Sequence, residues 1–164
     1  MDKPIHQIVA VAKNGVIGQD RKLPWRIPAE WDYFVNTTAG GVMVMGRICA
    51  EEFGVGLSGR DMIAVTSQKD LAMPGFRMTG SIEEAIELGN ASSFPGPIWI
   101  CGGVGVYRAT MPIANRLYIS LIHQEFEGDT FFPEDWRTHF PIEVSRVDVE
   151  DAGVSFSKCI FERC

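Results

Sequence analysis

Apolar positions along the chain fall into short runs separated by Gly, Pro and Asn. Positions 7–12 (QIVAVA) form a continuous β-prone run, which predicts a strand buried on both faces. Asn14-Gly15 follows as a turn, and 16–26, broken by Gly18 and Pro24, predicts a loop. Pro28 suits the first position of a helix with Glu30 and Asp32 in its opening turns, running to Thr37 before Gly40-Gly41 stop it. Further strands are predicted at 42–45, 62–66, 76–79, 98–101 and 117–122. Short helices are expected at 49–53, from Ser81 to about Leu88, and from Gly102-Gly103 through Ala109. Ser81 and Glu84 have capping-box spacing. Positions 144–149 and 154–161 read as two antiparallel strands around Asp151-Ala152-Gly153. Strands alternating with helices predict an α/β fold: a mostly parallel central sheet, flanking helices and a C-terminal antiparallel hairpin.

A chain of 164 residues fits one domain. Its net charge of −6 argues against non-specific nucleic-acid binding, which needs a basic face. No apolar run approaches the ~20 residues that span a bilayer, so no membrane partner is expected. Met1-Asp2-Lys3-Pro4 lacks the pattern of a secretory signal, and a cytoplasmic location is expected. Cys49, Cys101, Cys159 and Cys164 form no C-x-x-C pair, and His6, His123 and His139 are scattered, so reduced thiols and no metal site are expected.

Two glycine-rich stretches invite a phosphate-binding reading. Gly54-Val55-Gly56-Leu57-Ser58-Gly59 matches G-x-G-x-x-G, but that fingerprint needs a strand before it and a helix after it. Here the predicted order is the reverse, so a loop is the better reading. At 98–107 a buried strand ends in Gly102-Gly103 and a helix begins, which would aim backbone N–H groups at an anion. Taken alone, that segment is equally a tight strand-to-helix turn without a ligand. Glu30 shares a helical face with Ile27, Trp31 and Phe34. A carboxylate on an apolar face is costly unless paired or protonated, and burial would raise its pKa. From that segment alone, a first-turn acid complementing the helix N-terminus is the commoner explanation.

Taken together and in order, these segments resemble the dihydrofolate reductase family. Val16-Ile17-Gly18, Leu23-Pro24-Trp25 and Pro28-Ala29-Glu30 resemble its N-terminal signature around a mobile active-site loop. Met45-Gly46-Arg47, Leu57-Ser58-Gly59-Arg60, Thr66-Ser67 and Gly102-Gly103 with Val106-Tyr107 match later elements. So do Leu117-Tyr118-Ile119 and the run from Glu127-Gly128-Asp129-Thr130 to Phe131-Phe132-Pro133. The match is collinear from about Ile8 to Phe161.

The resemblance implies hydride transfer from NADPH to pterin C6 of dihydrofolate, with protonation at N5. It assigns Glu30 to the active-site carboxylate that holds pterin N3 and the 2-amino group, with the Ser120 hydroxyl orienting it. Leu23 and Trp25 belong to the loop that gates proton-delivering water. Ile8, Trp31, Phe34 and Phe53 are expected to enclose the substrate rings, Leu57 to contact the substrate as well, and Arg60 to clamp its α-carboxylate. On the cofactor side it implies Ala10, Ile17 and Gly18 near the nicotinamide, with Thr130 also among the cofactor-binding residues. Gly46 and Cys49 then meet the cofactor, with Cys101, Gly102, Gly103, Val104, Gly105, Val106 and Tyr107 around the pyrophosphate. Arg47, Thr66, Ser67 and Gln68 are expected to read the 2′-phosphate. Cys49 stands where the family usually has threonine, and Val55 where some members carry a second arginine.

A monomer with a small-molecule substrate and no metal is expected. The scaffold is shared by reductases of ribosylated pyrimidines in the riboflavin pathway, and could carry a non-catalytic nucleotide-binding module. Glu30 within P-A-E and Arg60 favour folate over the first; the intact loop and glycine cradle favour an enzyme over the second.

Overall fold

The computed structural model describes residues 2–19, 23–54, 57–68 and 71–163. In chain order the strands are β1 (Ile5–Ala12), β2 (Val16–Gly18), β3 (Val42–Gly46), β4 (Asp61–Val65), β5 (Arg77–Thr79), β6 (Ile98–Ile100), β7 (Arg116–Ile122), β8 (Thr130–Phe131), β9 (Ile142–Asp151) and β10 (Val154–Glu162). The helices are α1 (Pro28–Thr38), α2 (Arg47–Phe53), α3 (Ile82–Ala91), α4 (Val104–Thr110) and α5 (Trp136–His139). An eight-stranded sheet has the order β5-β4-β3-β6-β1-β7-β10-β9. Its strands are parallel from β5 to β7 and antiparallel through β10 and β9.

Alternation along each strand builds two cores from one sheet. Val42 and Val44 of β3, Val9 and Val11 of β1, and Ile98 and Ile100 of β6 join one cluster. Met43, Met45, Ile8 and Trp99 join the other, on the opposite face. Strands sandwiched this way are apolar at nearly every position, His6 and Gln7 of β1 being the buried exceptions, which is why they read as hydrophobic runs.

Strand order reverses around β1, which lies between β6 and β7, so a crevice opens at the carboxyl ends of the central strands. The Ser81 side chain accepts from the Glu84 amide, as its spacing predicts, and α3 runs on to Ala91 rather than ending near Leu88. Helix α2 starts two residues before the predicted 49.

One expectation is corrected outright. Positions 16–26 are not all loop, because β2 pairs antiparallel with β8, Val16 opposite Phe131. Gly128 lies so close to Val16 and the Gly18 carbonyl that a Cβ there would have no room. The C-terminal hairpin turns through Ala152 and Gly153, both at positive φ (53° and 77°). Around the G-x-G-x-x-G stretch, α2 precedes and β4 follows, the reverse of a dinucleotide fingerprint; Val55 and Gly56 lie outside the described residues.

Candidate active site

The crevice holds a cleft of about 980 Å³. Its walls come from the ends of β1, β3, β4 and β6, from α1 and α2, and from the start of α4. It has two halves.

In one half, Glu30 on α1 is 8% exposed, one of only two buried residues on that helix. Burial raises its carboxyl from the ordinary value of 4.5 to about 7, a rise partly opposed by a hydrogen bond with Ser120. Ser120 is buried on β7, opposite Ala10 of β1, so a rigid strand fixes the hydroxyl beneath the carboxylate. Trp31, Phe34 and Phe53 form an aromatic wall with centroids 5.4 to 6.1 Å apart. Trp31 is 42% exposed at the mouth, so the apolar face read along α1 serves the cleft more than the core. Ile8 and Leu23 complete this side.

The other half is largely backbone. Gly46 donates its amide to the Gly102 carbonyl at 2.8 Å, bringing two strand ends together. Gly102 sits at φ 129°, where side chains are strained, and a Cβ there would lie 3.3 Å from the Cys49 Sγ. Nothing lies within 4 Å of a Cβ position at Gly103 or Gly105, so the cradle stays open to the cleft. No side chain caps α4, which leaves its first amides for an anionic ligand. The Tyr107 hydroxyl donates to the Ile8 carbonyl at 2.7 Å and ties α4 to β1. Arg47, Thr66 and Ser67 lie farther along; the Arg47 Nη1 donates to Glu51 Oε1 at 2.7 Å. Burial pushes the Cys49 thiol up to about 12, so it lines the cleft as a neutral group. A long cleft, a glycine cradle and a cation at its far end fit a phosphorylated dinucleotide.

Ala10, Ile17, Gly18, Cys101, Val104, Val106 and Thr130 also line the cleft, as the sequence led one to expect. Five expected residues do not. Trp25 is buried against Phe126, with ring centroids 5.3 Å apart, and anchors the segment after Leu23 rather than facing the cleft. Ser120 lies beneath Glu30. Gln68 donates its backbone N–H to Thr66 Oγ1 at 3.0 Å in a turn. Leu57 and Arg60 stand outside the wall. Arg60 donates from Nε to Thr38 Oγ1 at 3.2 Å, from Nη1 to the Ser58 carbonyl at 2.5 Å, and from Nη2 to the Val35 carbonyl. Of its five N–H groups, one remains on each terminal nitrogen. Sequence reasoning missed Val9, Ile48, Glu52, Val65 and Asp129, which also line the cleft. Ile48 is 42% exposed, an apolar residue a solvated helix face does not call for, and that was the one available signal.

Comparisons with known proteins agree with this geometry. The profile of the family described as dihydrofolate reductase matches residues 4–163. The chain is 37% identical over 137 residues to a dihydrofolate reductase of Staphylococcus haemolyticus, covering 81% of each chain. It is 38% identical over 127 residues to one of Bacillus subtilis, covering 77% of this chain and 74% of that one. A solved dihydrofolate reductase from Enterococcus faecalis, complexed with NADP(H) and RAB-propyl, superimposes with a TM-score of 0.87 at 32% identity, over 98% of this chain and 96% of the other. With a family profile spanning nearly the whole chain and relatives above 30% identity over more than three quarters of it, the chain belongs to the dihydrofolate reductase family.

Proposed function

We propose that the two halves of the cleft divide the work of reducing 7,8-dihydrofolate to tetrahydrofolate with NADPH, Glu30 serving the pterin and the glycine cradle serving the cofactor. The observation that carries the assignment is Glu30, the buried carboxyl at the floor of the aromatic half. Its two oxygens suit a paired N–H edge such as pterin N3 and the 2-amino group. With a pKa of about 7 it exists in both protonation states near neutrality, so it can hold the proton that the reaction consumes. When bound, the nicotinamide supplies the hydride that adds at C6; the proton adds at N5.

Ser120 orients the carboxyl from below. Leu23, 47% exposed on the cleft wall, governs the path of water that delivers the proton. Trp31, Phe34, Phe53 and Ile8 cover the rings and exclude bulk water. Gly102 to Tyr107 hold the pyrophosphate with backbone amides, and Arg47 with Thr66 and Ser67 reads the 2′-phosphate. Arg60 takes the substrate's α-carboxylate on its two remaining N–H groups.

The chain acts as one domain and a monomer: charged Glu143, Arg146 and Asp148 along the edge strand β9 guard it against pairing. Its net charge of −6 disfavours nucleic acid. Cys49, Cys101 and Cys159 are free thiols, as suits a reducing cytoplasm.

The test is NADPH oxidation with dihydrofolate and with a pterin lacking the glutamate tail, in wild type and Arg60→Leu. Turnover should depend on the pterin. The variant should lose about tenfold or more in kcat/KM on the full substrate alone, the value of a hydrogen bond to a charged group. Equal losses on both substrates would return Arg60 to a purely structural role at the end of α1.

A further inference from the structure

Helix α1 places Glu30 in the cleft, yet its own sequence does not cap it. The N-cap residue is Ile27, in extended conformation and without a side-chain acceptor. Pro28 has no amide hydrogen to satisfy. The Glu30 and Trp31 amides both reach the Ile27 carbonyl at 3.1 Å. That leaves the Ala29 amide as the open donor of the first turn. It is met by Asp151 Oδ2 at 2.8 Å, from a residue 122 positions away.

Asp151 is the last residue of β9, immediately before the tight turn through Ala152 and Gly153 that starts β10. The hairpin also reaches the approach to α1 through packing. Phe156, Val149 and Val154 share a cluster with Trp25, Ile27 and Ala29. A carboxylate at a helix N-terminus satisfies the amide and complements the helix dipole. Both effects act on the turn that carries Glu30.

We infer that Asp151 is a positioning residue for Glu30: the β9–β10 hairpin supplies the cap that fixes the first turn of α1, and with it the direction of the carboxyl in the cleft. The inference rests on the reading of Glu30 as the group that acts on the pterin. It makes the C-terminal hairpin part of the active site's support rather than an appendage to the sheet. Asp151 contacts neither substrate nor cofactor and acts only through α1.

A double-mutant cycle tests it, with wild type, Asp151→Ala, Glu30→Gln and the double variant. Asp151→Ala should lower kcat about fivefold, the value of a lost helix cap, and leave NADPH affinity unchanged. Asp151→Asn, which keeps an acceptor oxygen, should restore most of the loss. In the Glu30→Gln background, removal of Asp151 should cost nothing further in kcat. The same loss in both backgrounds, or none in wild type, overturns the inference. If Glu30→Gln is itself fully active, the reading of Glu30 has failed, and the cycle shows this separately. Should Asp151→Ala not fold, Asp151→Ser, whose hydroxyl falls short of Ala29, goes through the same cycle.

Discussion

In the proposed division of the cleft, side chains recognise the pterin at one end, and backbone does most of the recognising of the cofactor at the other. The pterin half depends on Glu30, its Ser120 partner and the rings of Trp31, Phe34 and Phe53. The cofactor half depends on where Gly46, Gly102, Gly103 and Gly105 allow the chain to run. The two halves should therefore fail differently. A polar substitution at the first should abolish chemistry and spare the shape. An added Cβ at the second should spoil binding and spare the chemistry.

The largest effect is expected at Glu30. An amide in its place cannot hold the exchangeable proton, so Glu30→Gln should lose roughly 10²–10⁴-fold in kcat near neutrality while binding NADPH normally. Near-normal turnover by the folded variant would end the comparison on its strongest point.

The same substitution should stabilise the protein by an amount that grows from pH 4.5 to about 7 and persists above it. In the folded chain Glu30 stays protonated up to about 7, whereas the unfolded chain ionises from 4.5. Between those values the folded state binds more protons, so wild-type stability should fall as pH rises through the window, by about 3 kcal/mol in all. Thermal midpoints of Glu30→Gln should accordingly exceed wild type above neutrality, with the gap closing toward acid pH. A gap that does not change with pH would mean that Glu30 ionises normally.

Gly102→Ala sharpens the other side. Its φ of 129° and the Cys49 Sγ at 3.3 Å both oppose a methyl group. A strained residue of this kind costs about 1–3 kcal/mol, so NADPH affinity should fall roughly tenfold or more. At saturating cofactor, kcat should stay within a small factor of wild type.

Arg47→Ala should give the smallest effect. Arg47 is half-exposed and already paired with Glu51, so solvent and that carboxylate screen its charge. NADPH affinity should fall several-fold and NADH affinity should not move. Equal weakening of both would make Arg47 a support for α2.

The legible part of this protein was the part governed by local pattern. Strands β1, β3 and β6, apolar on both faces, announced themselves as unbroken runs, and Ser81 marked the start of α3. The ribbon of β2 and β8 did not, because its two or three residues per strand show no period and pair across more than a hundred positions. The single turn α5 escaped for the same reason. At the site, family resemblance singled out Glu30 and the glycine cradle, which line one cleft, where local pattern left both open. Trp25 shows the limit of that route: a residue inside the signature faces Phe126 and the core, not the cleft. The Asp151 cap was invisible for a simpler reason, since nothing near Ala29 in sequence hints at its partner.

The proposed chemistry depends on one proton. The carboxyl of Glu30 can be followed by carbon-13 NMR of glutamate-labelled protein, with Glu30→Gln identifying its signal. A midpoint near 7, well above the ordinary 4.5, is the predicted result. A midpoint at the ordinary value in the folded enzyme would contradict the claim that burial in the cleft prepares this group for proton chemistry.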